Sequence, residues 1–217
     1  AAKDIYRKWM DKAKHLKEDN RYTWRMRVEA LEETGAFYFF QRDLKNAIRY
    51  LEEALKLAEK KSLPVEWIGR HLARAYILAG QKEKARAMAE RTLEAFLKSN
   101  HIPEALKQQE SENPATIEYF LSYRSRTPQR LDTIAQLFIC MGDIPKASQY
   151  LARIDQVPRC RSCSYATCYD SYITYAFLAE VQGDIPRAIQ IYEKALLVNP
   201  GDEEVVLALF ALRKKHR

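Results

Sequence analysis

Three of the four cysteines fall within nine residues, Cys160, Cys163 and Cys168, in the spacing C-x2-C-x4-C. A C-x2-C pair is a common half-site for zinc, because thiolates are favoured ligands. Arg159 and Arg161 flank the cluster, and their charge would lower the thiol pKa values and offset a thiolate group. A tetrahedral ion needs a fourth ligand, and Asp170 or His101 can supply it. Cys140 is poorly placed: a helix of about 14 residues spans about 20 Å, which puts Cys140 at the opposite edge from Cys160. Iron–sulfur clusters use other spacings. Reduced thiols packed as small hydrophobes are the plain alternative, with redox chemistry a third. A zinc here would be structural, bracing a linker; no other cofactor is expected.

A second constellation is Arg70 and Arg74, one helical turn apart. Two guanidinium groups so placed can hold a carboxylate or phosphate bidentately. Pairing with Glu29 or Glu32 is the alternative. Catalytic chemistry is not written in this chain. The four histidines, His15, His71, His101 and His216, form no i, i+4 pair and no metalloprotease pattern, and are read as surface residues. Each glycine is a single turn marker rather than part of a phosphate loop. The chain is therefore not expected to be an enzyme.

The elements that must position these residues show in a repeat. Gly142-Asp143-Ile144-Pro145-Lys146-Ala147 recurs as Gly183-Asp184-Ile185-Pro186-Arg187-Ala188. Around the second copy run Tyr172, Tyr175, Ala176 and Ala179 before the turn, then Ala188, Tyr192 and Ala195 after it. Large and small residues at helical spacing on both sides of a turn make a helical hairpin, with small positions allowing close approach. Gly183 ends the first helix and Pro186 fits the first turn of the second. Asn199-Pro200-Gly201 closes the unit.

This unit, Tyr169 to Asp202, resembles the tetratricopeptide repeat (TPR), a helix-turn-helix of about 34 residues. Three further segments fit: Leu131 to Pro158, Leu72 to Ala89, and Leu31 to Ala54, the last with Arg42 where the turn Gly stands elsewhere. The anchor alanines Ala47, Ala85, Ala147 and Ala188 lie 38, 62 and 41 residues apart. The resemblance implies an all-α fold: an α-solenoid of about four TPR-like hairpins with a helical insertion and extra terminal helices. The expected layout is an N-terminal helix at 1–20, repeats 1 and 2 at 22–97, and the insertion at 98–127. Repeats 3 and 4 follow at 128–202, with the Cys-rich linker at 158–169, and then a C-terminal helix at 203–217. That last helix is apolar almost all round: either more chain follows it, or it packs on a partner molecule, and the second option predicts self-association.

The resemblance also implies a non-enzymatic scaffold that grips a peptide or protein segment in its concave groove. The family's groove-lining positions fall here on Phe39, Phe40, Trp67 and Phe177 as apolar contacts, with Arg70 and Arg74 as polar anchors. A peptide with both acidic and apolar features suits such a lining. The second reading is a nucleic-acid-associated or regulatory module using the Cys-rich metal site. It draws on the net charge of +7, from 36 Lys and Arg against 29 Asp and Glu, but the basic stretches are scattered along the chain. No apolar run approaches the roughly 18 residues of a membrane span, and Ala1 to Leu16 is charged throughout, so a cytoplasmic protein is expected.

Overall fold

The computed structural model describes residues 8, 9, 11–13, 15, 20–99, 127–156 and 169–216, with 99, 127–130, 155, 156, 169 and 170 described by their backbone alone. Among them the regular structure is helical. The helices are α1 (Arg21–Phe40), α2 (Leu44–Lys60), α3 (Glu66–Leu78), α4 (Lys82–Ser99), α5 (Thr127–Met141), α6 (Ile144–Gln156), α7 (Tyr169–Val181), α8 (Ile185–Val198) and α9 (Glu203–Lys215). Ahead of them, residues 8, 9 and 11–13 are helical. The chain is an all-α helical repeat array, as its sequence predicts.

One local device makes all four hairpins. At the end of α5 the Gly142 N–H donates to the Ile139 carbonyl and the Asp143 N–H reaches back to Phe138. The same pair of bonds recurs at Gly80–Gln81, at Gly183–Asp184 and at Arg42–Asp43. This closure needs a residue with positive φ. Gly80, Gly142 and Gly183 have φ of 76°, 80° and 79°, and Arg42 has 59°. The next helix then starts on an aspartate cap in three of the four units: Asp43, Asp143 and Asp184 each accept a hydrogen bond from the backbone N–H three residues on.

Close packing follows from small residues at fixed places. Ala47, Ala85, Ala147 and Ala188 are all fully buried. Within α1, a Cβ on Gly35 would lie 2.6 Å from Leu51 Cγ of α2. Within α3, a Cβ on Gly69 would strike the Thr92 hydroxyl of α4. Large residues such as Leu51, Leu72, Leu151 and Tyr192 fill the gaps between.

The hairpins stack in chain order, α2 on α3, α4 on α5, α5 on α7 and α8 on α9. The first helix of each unit faces inward, and the curl is tight enough that α9 packs against α1 while α3 touches both α5 and α7. The two ends of the described array therefore meet. Along α9, Val205, Ala208, Leu209 and Leu212 are buried, whereas Val206 and Phe210 face solvent. No helix among the described residues is long and apolar enough to cross a membrane.

Candidate functional site

The inward helices bring four of the sequence-predicted groove residues together. Phe39 and Phe40 end α1, Arg74 lies mid-α3 and Phe177 lies mid-α7. The Arg74 guanidinium carbon stands 4.7 Å from the Phe39 ring centre, 5.8 Å from Phe40 and 5.0 Å from Phe177. An arginine among three aromatic faces is held by the ring quadrupoles. The cluster is closed to solvent: Phe39 and Phe177 are 0 % exposed, Arg74 2 % and Phe40 4 %. These side chains form the wall where the array meets itself, not the floor of an open groove. Arg74 Nε and Nη2 find no hydrogen-bond acceptor among the described residues.

Arg70 and Trp67 sit one and two turns earlier on α3, at the rim of this cluster. Trp67 is exposed and the Arg70 guanidinium lies 4.6 Å from its ring centre. Burial, together with the like charge of Arg74, brings the Arg70 pKa down to about 10, while Asp132, Glu204 and Glu32 act the other way. Arg70 Nη2 is 3.4 Å from His71 Nε2, and Arg70 Nε has no acceptor among the described residues. Glu29, offered by the sequence as a partner for this pair, instead accepts from Arg25 Nε at 2.7 Å. Glu32 does act on Arg70 electrostatically, but its nearest ion-pairing contact is His71 Nδ1 at 3.7 Å.

His71 is not a surface residue, as the sequence suggested. Its side chain is 12 % exposed, and burial, with Arg70 and Arg74 adding to it, holds its pKa well below the ordinary imidazole value. Burial also raises Glu32 to about 7, against the pull of Arg70 and with the push of Glu29. On the far wall, Gln136 Nε2 donates to Asp132 Oδ2 at 2.8 Å and to Thr174 Oγ1 at 2.7 Å, and the Thr174 hydroxyl donates to Asp132 Oδ1. Cys140 is buried beside Arg74, and burial pushes its thiol up to about 12.

Sequence reasoning missed a second polar cluster. From the turn between α1 and α2, Arg42 Nε donates to Glu180 Oε2 at 2.8 Å and Nη2 to Glu180 Oε1. Tyr192 Oη donates to Glu180 Oε1 at 2.8 Å and accepts from Arg42 Nη2 at 3.2 Å. Arg42 Nη1 also donates to the Phe39 carbonyl at 3.0 Å. The Arg42 and Glu180 side chains are 10 % and 3 % exposed. The visible signal in the sequence was an arginine standing where the other turns have glycine.

The proposed metal ligands Cys160, Cys163, Cys168 and His101 lie outside the described residues, and Asp170 is described by its backbone alone, in the first turn of α7. Among the described residues no group of His, Cys, Asp and Glu side chains is arranged to hold a metal ion.

Comparison with known proteins bears on the fold and family. The tetratricopeptide repeat family model matches residues 27–98, which span most of α1 through α4 and hence the first two hairpins. The resemblance noted from the sequence therefore holds over about a third of the chain. A solved tetratricopeptide repeat protein from Parabacteroides merdae is similar over 96% of this chain and 98% of that one, at 15% identity and a TM-score of 0.32. No curated protein matches the chain.

Proposed function

From the premise that residues 27–98 are tetratricopeptide repeats, whose general role is to mediate protein–protein interaction, we propose that this chain is a non-enzymatic scaffold for an acidic, aromatic-bearing protein segment. Arg70 and Arg74 are the anchors, and Trp67 is the exposed apolar contact at the rim. Phe39, Phe40 and Phe177 supply the apolar wall behind them.

One observation carries this reading: half-buried Arg70 and buried Arg74, on adjacent turns of α3, keep enclosed guanidinium N–H groups with no acceptor among the described residues. A buried charged donor left unsatisfied is costly. Glu32, raised to about 7 by burial, is a weak counter-charge near neutrality. A carboxylate from a partner meets both needs, and an aromatic side chain beside it matches Trp67.

The test is fluorescence anisotropy with a short labelled peptide of glutamates and phenylalanines, against a control in which lysine replaces glutamate. The acidic probe should bind, and Arg70→Ala should weaken it by on the order of tenfold, as expected for loss of a charge-assisted hydrogen bond. Equal binding of the two probes would defeat the reading.

A further inference from the structure

Three turns of the array carry glycine in the left-handed region, and the first carries Arg42 at φ 59°. A bulky residue held there is under backbone strain and persists only where other interactions over-determine it. Those interactions cross the array: Arg42 donates through two nitrogens to Glu180, 138 residues away, and through one of them to Tyr192 as well. The first and last repeats also share an apolar cluster that includes Phe39, Phe40, Ala176, Ala179 and Tyr192, and α9 packs on α1. The Arg42 contacts sit beside the aromatic–arginine cluster that they help to enclose: Phe39 is both a ring against Arg74 and the carbonyl that Arg42 caps.

We propose that Arg42 is a clasp: it fastens the first repeat to the last and closes the array over Arg74, Phe39 and Phe177, and it gives way when an acidic, aromatic-bearing segment engages Arg70 and Arg74. This rests on the reading given under Proposed function. The closed state satisfies Arg42 and Glu180, but it leaves Arg74 Nε and Nη2 and Arg70 Nε without acceptors among the described residues. Opening exposes the buried Glu180 carboxylate and Arg42 to water, and carboxylates from the partner then serve the donors that the closed state leaves unserved. The aromatic faces now turned on one another become the partner's contact surface. The ligand has to favour the open form for this exchange to shift the population, and it does so because those donors and faces are covered in the closed form.

Arg42→Gly is the informative variant, because glycine suits the left-handed turn and the first hairpin keeps its closure. Cys140 reports on opening. It is 1 % exposed and lies beside Arg74, so its alkylation by iodoacetamide, followed by mass spectrometry of the peptide containing it, reads the enclosed face directly. Arg42→Gly should speed Cys140 alkylation by on the order of tenfold or more while helicity is kept. It should also tighten binding of the glutamate–phenylalanine probe, and adding Arg74→Met should abolish that gain. Glu180→Gln, which keeps side-chain shape, serves the same purpose if Arg42→Gly does not fold. Protection of Cys140 unchanged in both variants overturns the clasp. Faster alkylation with no gain in probe binding overturns the link to a partner while leaving the fastening itself in place; the peptide-binding reading falls separately, if the parent chain binds the acidic and the lysine probes equally.

Discussion

His71 Nδ1 stands 3.7 Å from Glu32 Oε1 across the contact of α3 with α1, and each group is in the wrong place to carry its charge. Burial is the leading cause for both. Arg70 and Arg74 add to the pressure on His71, and Arg70 partly relieves Glu32 while Glu29 works against it. Near neutral pH the imidazole is uncharged and the carboxyl is divided between its two forms. The two groups consequently tilt stability in opposite directions, and each tilt can be isolated.

Replacing Glu32 by glutamine should make the protein more stable near pH 7. The folded-state pKa is raised from 4.5 to about 7, so the unfolded chain releases this proton first as pH rises. Stability is then lost between about pH 4.5 and pH 7, by at most roughly 3 kcal/mol, with some discount for the residual exposure of the side chain. Glu32→Gln removes that loss. Across about pH 4.5 to 7, urea midpoints of the variant should climb with pH relative to those of the parent; a slope equal to that of the parent would contradict the assignment.

Replacing His71 by asparagine should act the other way round. The folded-state pKa lies well below 6.5, so the unfolded chain takes up a proton first as pH falls. Stability from this group is present above 6.5 and drains away below it. In His71→Asn the acid-side loss should vanish, leaving the Glu32 slope exposed: the variant grows less stable from about pH 4.5 to 7. The two single variants should therefore show slopes of opposite sign near pH 5.5 to 6.5, a pattern that a generic packing defect at either site does not produce.

Gly69→Ala should destabilise the second hairpin. A Cβ there collides with the Thr92 hydroxyl and comes within 3.2 Å of Thr92 Cβ and Cγ2, and Thr92 is itself 3 % exposed. Overpacking of this kind costs about 1–3 kcal/mol. Thr92→Ala removes two of the three clashing atoms, so Gly69→Ala combined with Thr92→Ala should be less destabilised than the sum of the single changes. Strict additivity in a thermal denaturation cycle would show that the α3–α4 approach is looser than described.

How much of this was readable beforehand follows from the range of each interaction. The hairpins were legible because their determinants are local: Gly142 and Gly183 mark a turn whose hydrogen bonds span six residues, and Ala147 and Ala188 report close approach within one unit. The family resemblance singled out Phe39, Phe40, Arg74 and Phe177 as facing one groove, and these four side chains do lie together. Their enclosure was not legible. It depends on how far the stack curls, a sum of small rotations between units that no single residue encodes. Arg42 shows the limit well. Its departure from glycine was evident, but its partner Glu180 lies 138 residues on, and no periodicity links them. His71 was misplaced for the same reason: its surroundings include Glu32 of α1, and no spacing within α3 announces that α1 meets it there.

Arg74→Met should separate binding from stability. The guanidinium gains from three aromatic faces, about 0.5–2 kcal/mol for a desolvated cation, but it keeps two buried nitrogens without acceptors among the described residues, at about 1–3 kcal/mol each. Methionine is of similar length, carries no donor and makes favourable sulfur–aromatic contacts of about 0.3–1.5 kcal/mol. Replacing a poorly served buried charge by a well-packed apolar side chain is often neutral or stabilising. The expected result is an unfolding free energy unchanged or raised by about 1–2 kcal/mol, together with binding of the glutamate–phenylalanine probe weakened by on the order of tenfold or more. If Arg74→Met instead lowers stability by more than about 2 kcal/mol, the arginine is there to hold Phe39, Phe40 and Phe177 together. Its free N–H groups would then carry no information about a ligand, because a residue kept for recognition against the interest of the fold should not be missed by the fold when it is removed.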